Sequence, residues 1–131
     1  MPDMNLVRSD VDDVTVLALS GRLVFNEGEA VLRDHIAALV AHGRTKVVLN
    51  VHEINYVDSS GIGALVDELK TLRRLGGDLK LVCPSRRCEH VLAMTHLLPM
   101  FELYESEDAA VRSFAHVRHA LPAGTTTARQ T

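Results

Sequence analysis

The chain reads as an α/β protein, a sheet with helices packed on it. Two observations predict this. Short β-branched apolar runs, led by Val14-Thr15-Val16-Leu17-Ala18-Leu19, alternate with segments whose apolar residues recur every three or four positions. Glycines then punctuate the ends of the periodic segments, at Gly43 and at Gly76-Gly77. With 131 residues, the simplest division is one domain over residues 1–118. A tail at 119–131 has little to bury and is expected to be disordered.

Asn5-Leu6-Val7-Arg8 is the expected first strand, joined through a turn at Asp10-Val11-Asp12-Asp13 to the run Val14–Leu19. That run is nearly all apolar, which implies cover on both faces. Ser20-Gly21 is expected to end the hairpin. From Glu27 to about His42, Leu32, Ile36, Leu39 and Val40 fall at helical spacing. Lys46–Val51 is the next strand, and Ile54 to Val57 leads into Asp58-Ser59-Ser60-Gly61. Beyond it Ile62, Leu65, Val66, Leu69 and Leu72 share one helix face, with Asp67, Glu68, Lys70, Thr71 and Arg74 mostly on the other. Leu79–Cys83 is a strand, and Pro84-Ser85 opens a helix through Val91 and Met94. Phe101–Tyr104 is a short strand, and Glu105-Ser106-Glu107-Asp108 supplies caps for a last helix to about His116. These patterns carry no strand order.

Composition excludes several function classes. A net charge of −3, with the basic residues scattered, leaves no electrostatic footprint for direct nucleic-acid binding. No apolar run approaches the roughly 20 residues of a transmembrane segment, and the polar N-terminal stretch lacks the apolar core of a secretory signal. Cys83 and Cys88 are too few for a disulfide framework and lack the C-x-x-C spacing, so a cytoplasmic protein with reduced thiols is expected. The seven histidines show no compact ligand spacing, and neither a metal nor a cofactor is expected.

The chemistry concentrates at Asp58-Ser59-Ser60-Gly61-Ile62-Gly63. As a structural device, Ser59 is a good N-cap, its hydroxyl accepting from a backbone N–H that would otherwise be orphaned. Capping does not account for Gly61 and Gly63, since glycine within a helix costs roughly 1 kcal/mol against alanine. Glycines there suit close approach by another backbone or a ligand. A helix N-terminus also favours an anion, so the junction suits a phosphate carried on Ser59. A nucleophilic serine is the enzymatic alternative, but the nucleophile elbow needs glycine two residues before the serine, where Val57 stands. His52 and His90 are the candidate bases. A dinucleotide fingerprint fails at Val66, where the third glycine belongs.

"INYVDSSGIGALV", followed by "LKTLRRLGGDLKLVCPSRRCEHVLAMTHLLPMFELYESEDAAVRSF", resembles a sulfate transporter and anti-sigma factor antagonist (STAS) domain. It is most similar to the free-standing bacterial anti-sigma factor antagonists, over about Leu6 to Val117. The resemblance implies a four- or five-stranded mixed sheet with helices mainly on one face. It implies regulation by partner switching rather than catalysis. The unphosphorylated chain would bind an anti-sigma factor with ATP-dependent serine kinase activity, freeing the sigma factor. That kinase would phosphorylate Ser59, and a metal-dependent serine phosphatase would reverse the modification. Asp58, Ser60, Gly61, Ile62 and Gly63 would form the phosphorylation loop and the surface the partner reads.

One segment departs from the family pattern. Many antagonists carry Gly-Glu-apolar-Asp after the second strand, whereas this chain has Gly21-Arg22-Leu23-Val24, with Glu27 and Glu29 following closely. The departure leaves a second function open: a STAS subunit of a larger assembly, such as a phospholipid-transport complex. A serine hydrolase is the third.

Overall fold

The computed structural model describes residues 4–83 and 100–120. Its elements are β1 (Met4–Val11), β2 (Val14–Leu23), α1 (Gly28–Ala41), β3 (Lys46–Val57), α2 (Ser59–Arg74), β4 (Asp78–Val82), β5 (Glu102–Tyr104) and α3 (Glu107–Ala120). The strands form one five-stranded sheet in sequence order, β1-β2-β3-β4-β5. β1 runs antiparallel to β2, and every later pair is parallel. The expected mixed α/β sheet is therefore observed. The helix expected after Pro84 and most of the expected tail lie outside the described residues.

Strand alternation divides the core in two. Leu17 and Leu19 of β2, Val47, Leu49 and Val51 of β3, and Leu79 and Leu81 of β4 join Leu32, Ile36, Leu39, Leu65, Leu69 and Leu72 in the main cluster under α1 and α2. The intervening Val14, Val16, Val48 and Val82 meet Ala110 and Phe114 of α3 on the opposite face. This double cover explains why β2 reads as an unbroken apolar run. Among the described residues, two helices pack on one face and one on the other.

Both expected glycine stops are built. Gly43 and Gly76 take φ of 76° and 88°. After α2, the Gly76 N–H donates to Arg73 O at 3.1 Å and the Gly77 N–H to Leu72 O at 2.8 Å, which satisfies carbonyls left over at the helix end. A Cβ on Gly77 would lie 1.9 Å from Thr45 O, so this turn is pressed against the start of β3.

Three expectations are corrected. The hairpin pairing does end at Ser20-Gly21, opposite Asn5 and Met4, but the strand does not stop with it: β2 continues to Leu23 along β3 through register shifts at Ala18/Ser20 and Gly21/Arg22. Gly21, at φ 100°, permits the irregularity, and the shift returns Leu23 to the core. β3 likewise runs unbroken from Lys46 to Val57. Finally Cys83, 2% exposed beyond β4, is disulfide-bonded, against the expectation of reduced thiols. Spacing in sequence does not govern pairing; the approach of the two Cβ atoms does. The other cysteine, Cys88, lies outside the described residues.

Candidate phosphorylation site at the start of α2

One residue separates β3 from α2. Asp58 leaves the strand with extended backbone, φ −101° and ψ −176°, and the helix begins at Ser59. The Asp58 N–H donates to Leu23 O at 3.4 Å, and Asp58 O accepts from the Ile62 N–H at 3.0 Å. The last strand bond and the first helical bond thus meet on one residue.

Asp58, and not Ser59, caps the helix. Asp58 Oδ1 accepts from the Gly61 N–H at 2.9 Å, while Oδ2 accepts from the Phe25 N–H at 3.0 Å. Each carboxylate oxygen takes one of these donors, whereas a hydroxyl would have to meet both through a single oxygen. The expected cap therefore moves one residue toward the N-terminus. The N–H groups of Phe25 and then Gly61 hold the Asp58 carboxyl below its usual range, outweighing the opposing effect of desolvation. Ser59, relieved of capping, occupies the first helical position and is exposed; Ser60 is half-buried.

The two glycines have different reasons. A Cβ on Gly61 would stand 2.2 Å from Leu23 O, so the first turn of α2 lies directly on the backbone of β2. A Cβ on Gly63 would meet nothing within 4 Å. Ile62 between them is buried in the main cluster and fixes the turn to the core. All six expected site residues fall on one junction, with Asp58 as clamp, Ile62 as anchor, and Ser59 and Gly63 open.

The acids near the departing segment sit elsewhere. Glu29 accepts from the Asn26 N–H at 3.3 Å and pairs with Arg33. Arg33 in turn reaches Asp67 of α2 at 3.0 Å and Glu68 at 3.7 Å. This network ties α1 to α2. Of the candidate bases for a hydrolase, the His52 ring lies 3.6 Å from Glu53, and His90 is outside the described residues. Among the described residues no histidine ring is bonded to either serine hydroxyl.

Two aromatic neighbours of the site, Phe25 and Tyr56, were not expected from the sequence, and Arg22 stood out only as a departure from the family pattern. Phe25, whose N–H the Asp58 carboxylate holds, is 68% exposed. Tyr56 is 52% exposed, and the Arg22 guanidinium lies over its ring, 4.9 Å from the centroid. The available signal was the scarcity of aromatics, 4% of the chain, with one set in the polar turn after β2.

Comparison with known proteins adds to this geometry. The family model of the STAS domain matches residues 5–110. A Thermotoga maritima protein provisionally named an anti-sigma factor antagonist is 27% identical over 101 residues, 77% of this chain and 89% of the relative. The crystal structure of an anti-sigma factor antagonist from Mycobacterium paratuberculosis superposes with a TM-score of 0.72 at 24% identity, covering 86% of this chain and 96% of that one. The Bacillus cell fate determinant SpoIIAA in its phosphorylated form superposes with a TM-score of 0.64 at 22% identity, covering 83% and 99%.

Proposed function

Since the chain belongs to the STAS domain family, we propose that it is an anti-sigma factor antagonist switched by phosphorylation of Ser59. One observation carries the reading. Asp58 takes over the capping role, which leaves the Ser59 hydroxyl exposed at the helix mouth with no structural task among the described residues. The names of its relatives support the general role, and SpoIIAA supplies a relative that exists in a phosphorylated form.

The physics suits a switch that acts on binding rather than on folding. A phosphate on Ser59 adds about 1.5–2 negative charges at neutral pH. The N-terminus of α2 tolerates that charge, so the domain stays folded. A partner pressed over Ser59 would have to bury the dianion, which is strongly unfavourable without cations to receive it. Losing roughly 3–4 kcal/mol of binding weakens an interface by a few hundredfold or more.

In this reading the chain supplies no catalytic residue and holds no cofactor. An anti-sigma factor with serine kinase activity brings the ATP, a metal-dependent serine phosphatase resets the switch, and the exchange takes place in the cytoplasm. Arg22, standing where the resemblance leads one to expect an acid, favours one alternative: a constitutive STAS subunit of a larger assembly.

The test is intact-mass analysis after incubation with ATP and a purified anti-sigma factor that has serine kinase activity. A single phosphate is expected on the wild type and on Ser60→Ala, and none on Ser59→Ala. Unmodified wild-type protein, with the kinase shown active on another substrate, would sink the switch and direct attention to constitutive partners.

A further inference from the structure

β1 is an end strand of the sheet: among the described residues it pairs with β2 and with no other strand. Its side chains sort by face, because residues directly opposite in an antiparallel pair point to the same side. Val11 lies opposite Val14 and Ser9 opposite Val16, so Val7, Ser9 and Val11 share the α3 side. Arg8 lies opposite Leu17 of the main cluster, which puts Arg8 and Asp10 on the α1–α2 side. There Arg8 donates to Asp10 twice at 3.0 Å, from Nε to Oδ1 and from Nη2 to Oδ2. Both side chains are exposed, and Val7 and Val11 are 68% and 44% exposed.

We propose that β1 pairs antiparallel with β1 of a second copy of this chain, about a two-fold axis at Ser9. The segment Val7-Arg8-Ser9-Asp10-Val11 is complementary to its own reverse. Pairing about Ser9 sets Val7 against Val11 of the second copy on one face, and Arg8 against Asp10 of the second copy on the other. The symmetry makes each of these contacts twice. Ser9 meets its own counterpart at the axis, where a small side chain fits. Charge also selects the register. A slip of two residues sets Arg8 against Arg8 in one direction and Asp10 against Asp10 in the other, and like charges directly opposite are destabilising. The contacts within the chain, including Arg44 at 3.6 Å from Asp10, need not break, since a guanidinium and a carboxylate each serve several partners. Self-complementarity is what assigns the edge to a second copy rather than to an unrelated protein. The paired segment runs beside Val14–Ala18 of β2 and, through it, the start of β3, whereas Ser59 follows the far end of β3. Dimerisation therefore leaves both copies of Ser59 open, and the inference stands apart from the switch.

Sedimentation equilibrium of the full chain tests this. The wild type is expected to move from monomer toward dimer mass as concentration rises, with weak association because the paired segment is short. Arg8→Asp and Asp10→Arg each set like charges opposite one another, and each is expected to dimerise about tenfold or more weakly. Mixed in equal amounts, one variant brings two acids and the other two arginines, so the pair should associate at least as well as the wild type. A folding defect cannot produce that recovery, and thermal melting of each variant checks for one. A dimer that neither variant weakens, or variants that fail to recover on mixing, overturns the inference. So does a wild type that is monomeric at every concentration, which would leave the edge to a different protein or to residues 121–131 of the chain.

Discussion

At the scale of single residues, the junction divides its labour among side chains that the sequence presents as one block. Asp58 holds two N–H donors from different elements, and its carboxyl is held below the usual range as a result. The sign of the pH effect follows. A depressed folded pKa contributes stability above the unfolded value, about 4, that is lost as pH falls through the folded value. Asp58→Asn keeps one acceptor but turns an amide donor toward a donor, so it is expected to be less stable than wild type at pH 7. Denaturant titrations from pH 7 down to 2 should show that difference shrinking. Gly61 and Gly63 make opposite predictions. Gly61→Ala forces a Cβ onto Leu23 O and should cost about 1–3 kcal/mol or more. Gly63→Ala fills open space and should stabilise the isolated chain by about 0.5–1 kcal/mol. Urea unfolding of both variants tests the pair. A Gly63→Ala chain that is more stable yet binds its partner less well would identify an outward reason for that glycine.

Among the elements, the helices were the most legible parts. Leu65, Leu69 and Leu72 of α2 fall at the spacing expected for one face, and all are buried. Periodicity of this kind is set by the helix itself, so it survives any tertiary context. The stops were equally readable, because left-handed backbone favours glycine strongly. Gly76→Ala should therefore cost about 1 kcal/mol or more, measured as a loss of unfolding free energy. Gly77→Ala should cost more, since the added carbon meets Thr45 O. Strand ends were read less well. The extension of β2 to Leu23 depends on register irregularities against β3, and a partner strand is not visible in the run that pairs with it. Reading Ser59 as the cap failed for a related reason. The residue type suits capping, but Asp58 also faces Phe25 across the sheet end, and that long-range bond decides which of the two serves.

On the scale of the whole molecule, the two clusters on either side of the sheet depend on different helices. α3 alone, among the described residues, covers Val14, Val16, Val48 and Val82. It is held there by Lys80, 3% exposed, whose Nζ donates to Ser113 Oγ at 2.8 Å, pairs with Glu102 at 3.0 Å and lies 4.5 Å from the centre of the Phe114 ring. A chain ended after Ser106 would expose this apolar face and leave the buried ammonium without Ser113. Such a chain is expected to lose its cooperative thermal transition and to bind a hydrophobic dye. Retention of a sharp transition would show that the α1–α2 side of the sheet is sufficient for folding. The proposed switch needs no change at this scale, because Ser59 is already exposed.

The sequence by itself determined the α/β class, the spans of α1 and α2, the glycine stops and the concentration of chemistry at Asp58–Gly63. Each depends on local backbone preference or on periodicity along one segment, and such properties are written residue by residue. Only the tertiary structure decided that the strands lie in chain order, that Asp58 takes the cap and leaves the Ser59 hydroxyl open, and that Cys83 is disulfide-bonded. It also set Arg22 on Tyr56 beside the exposed Phe25. These outcomes turn on which distant atoms meet, as the 33 residues separating Phe25 from Asp58 illustrate. No pattern within either segment specifies that encounter; packing of the two strand ends against one core does.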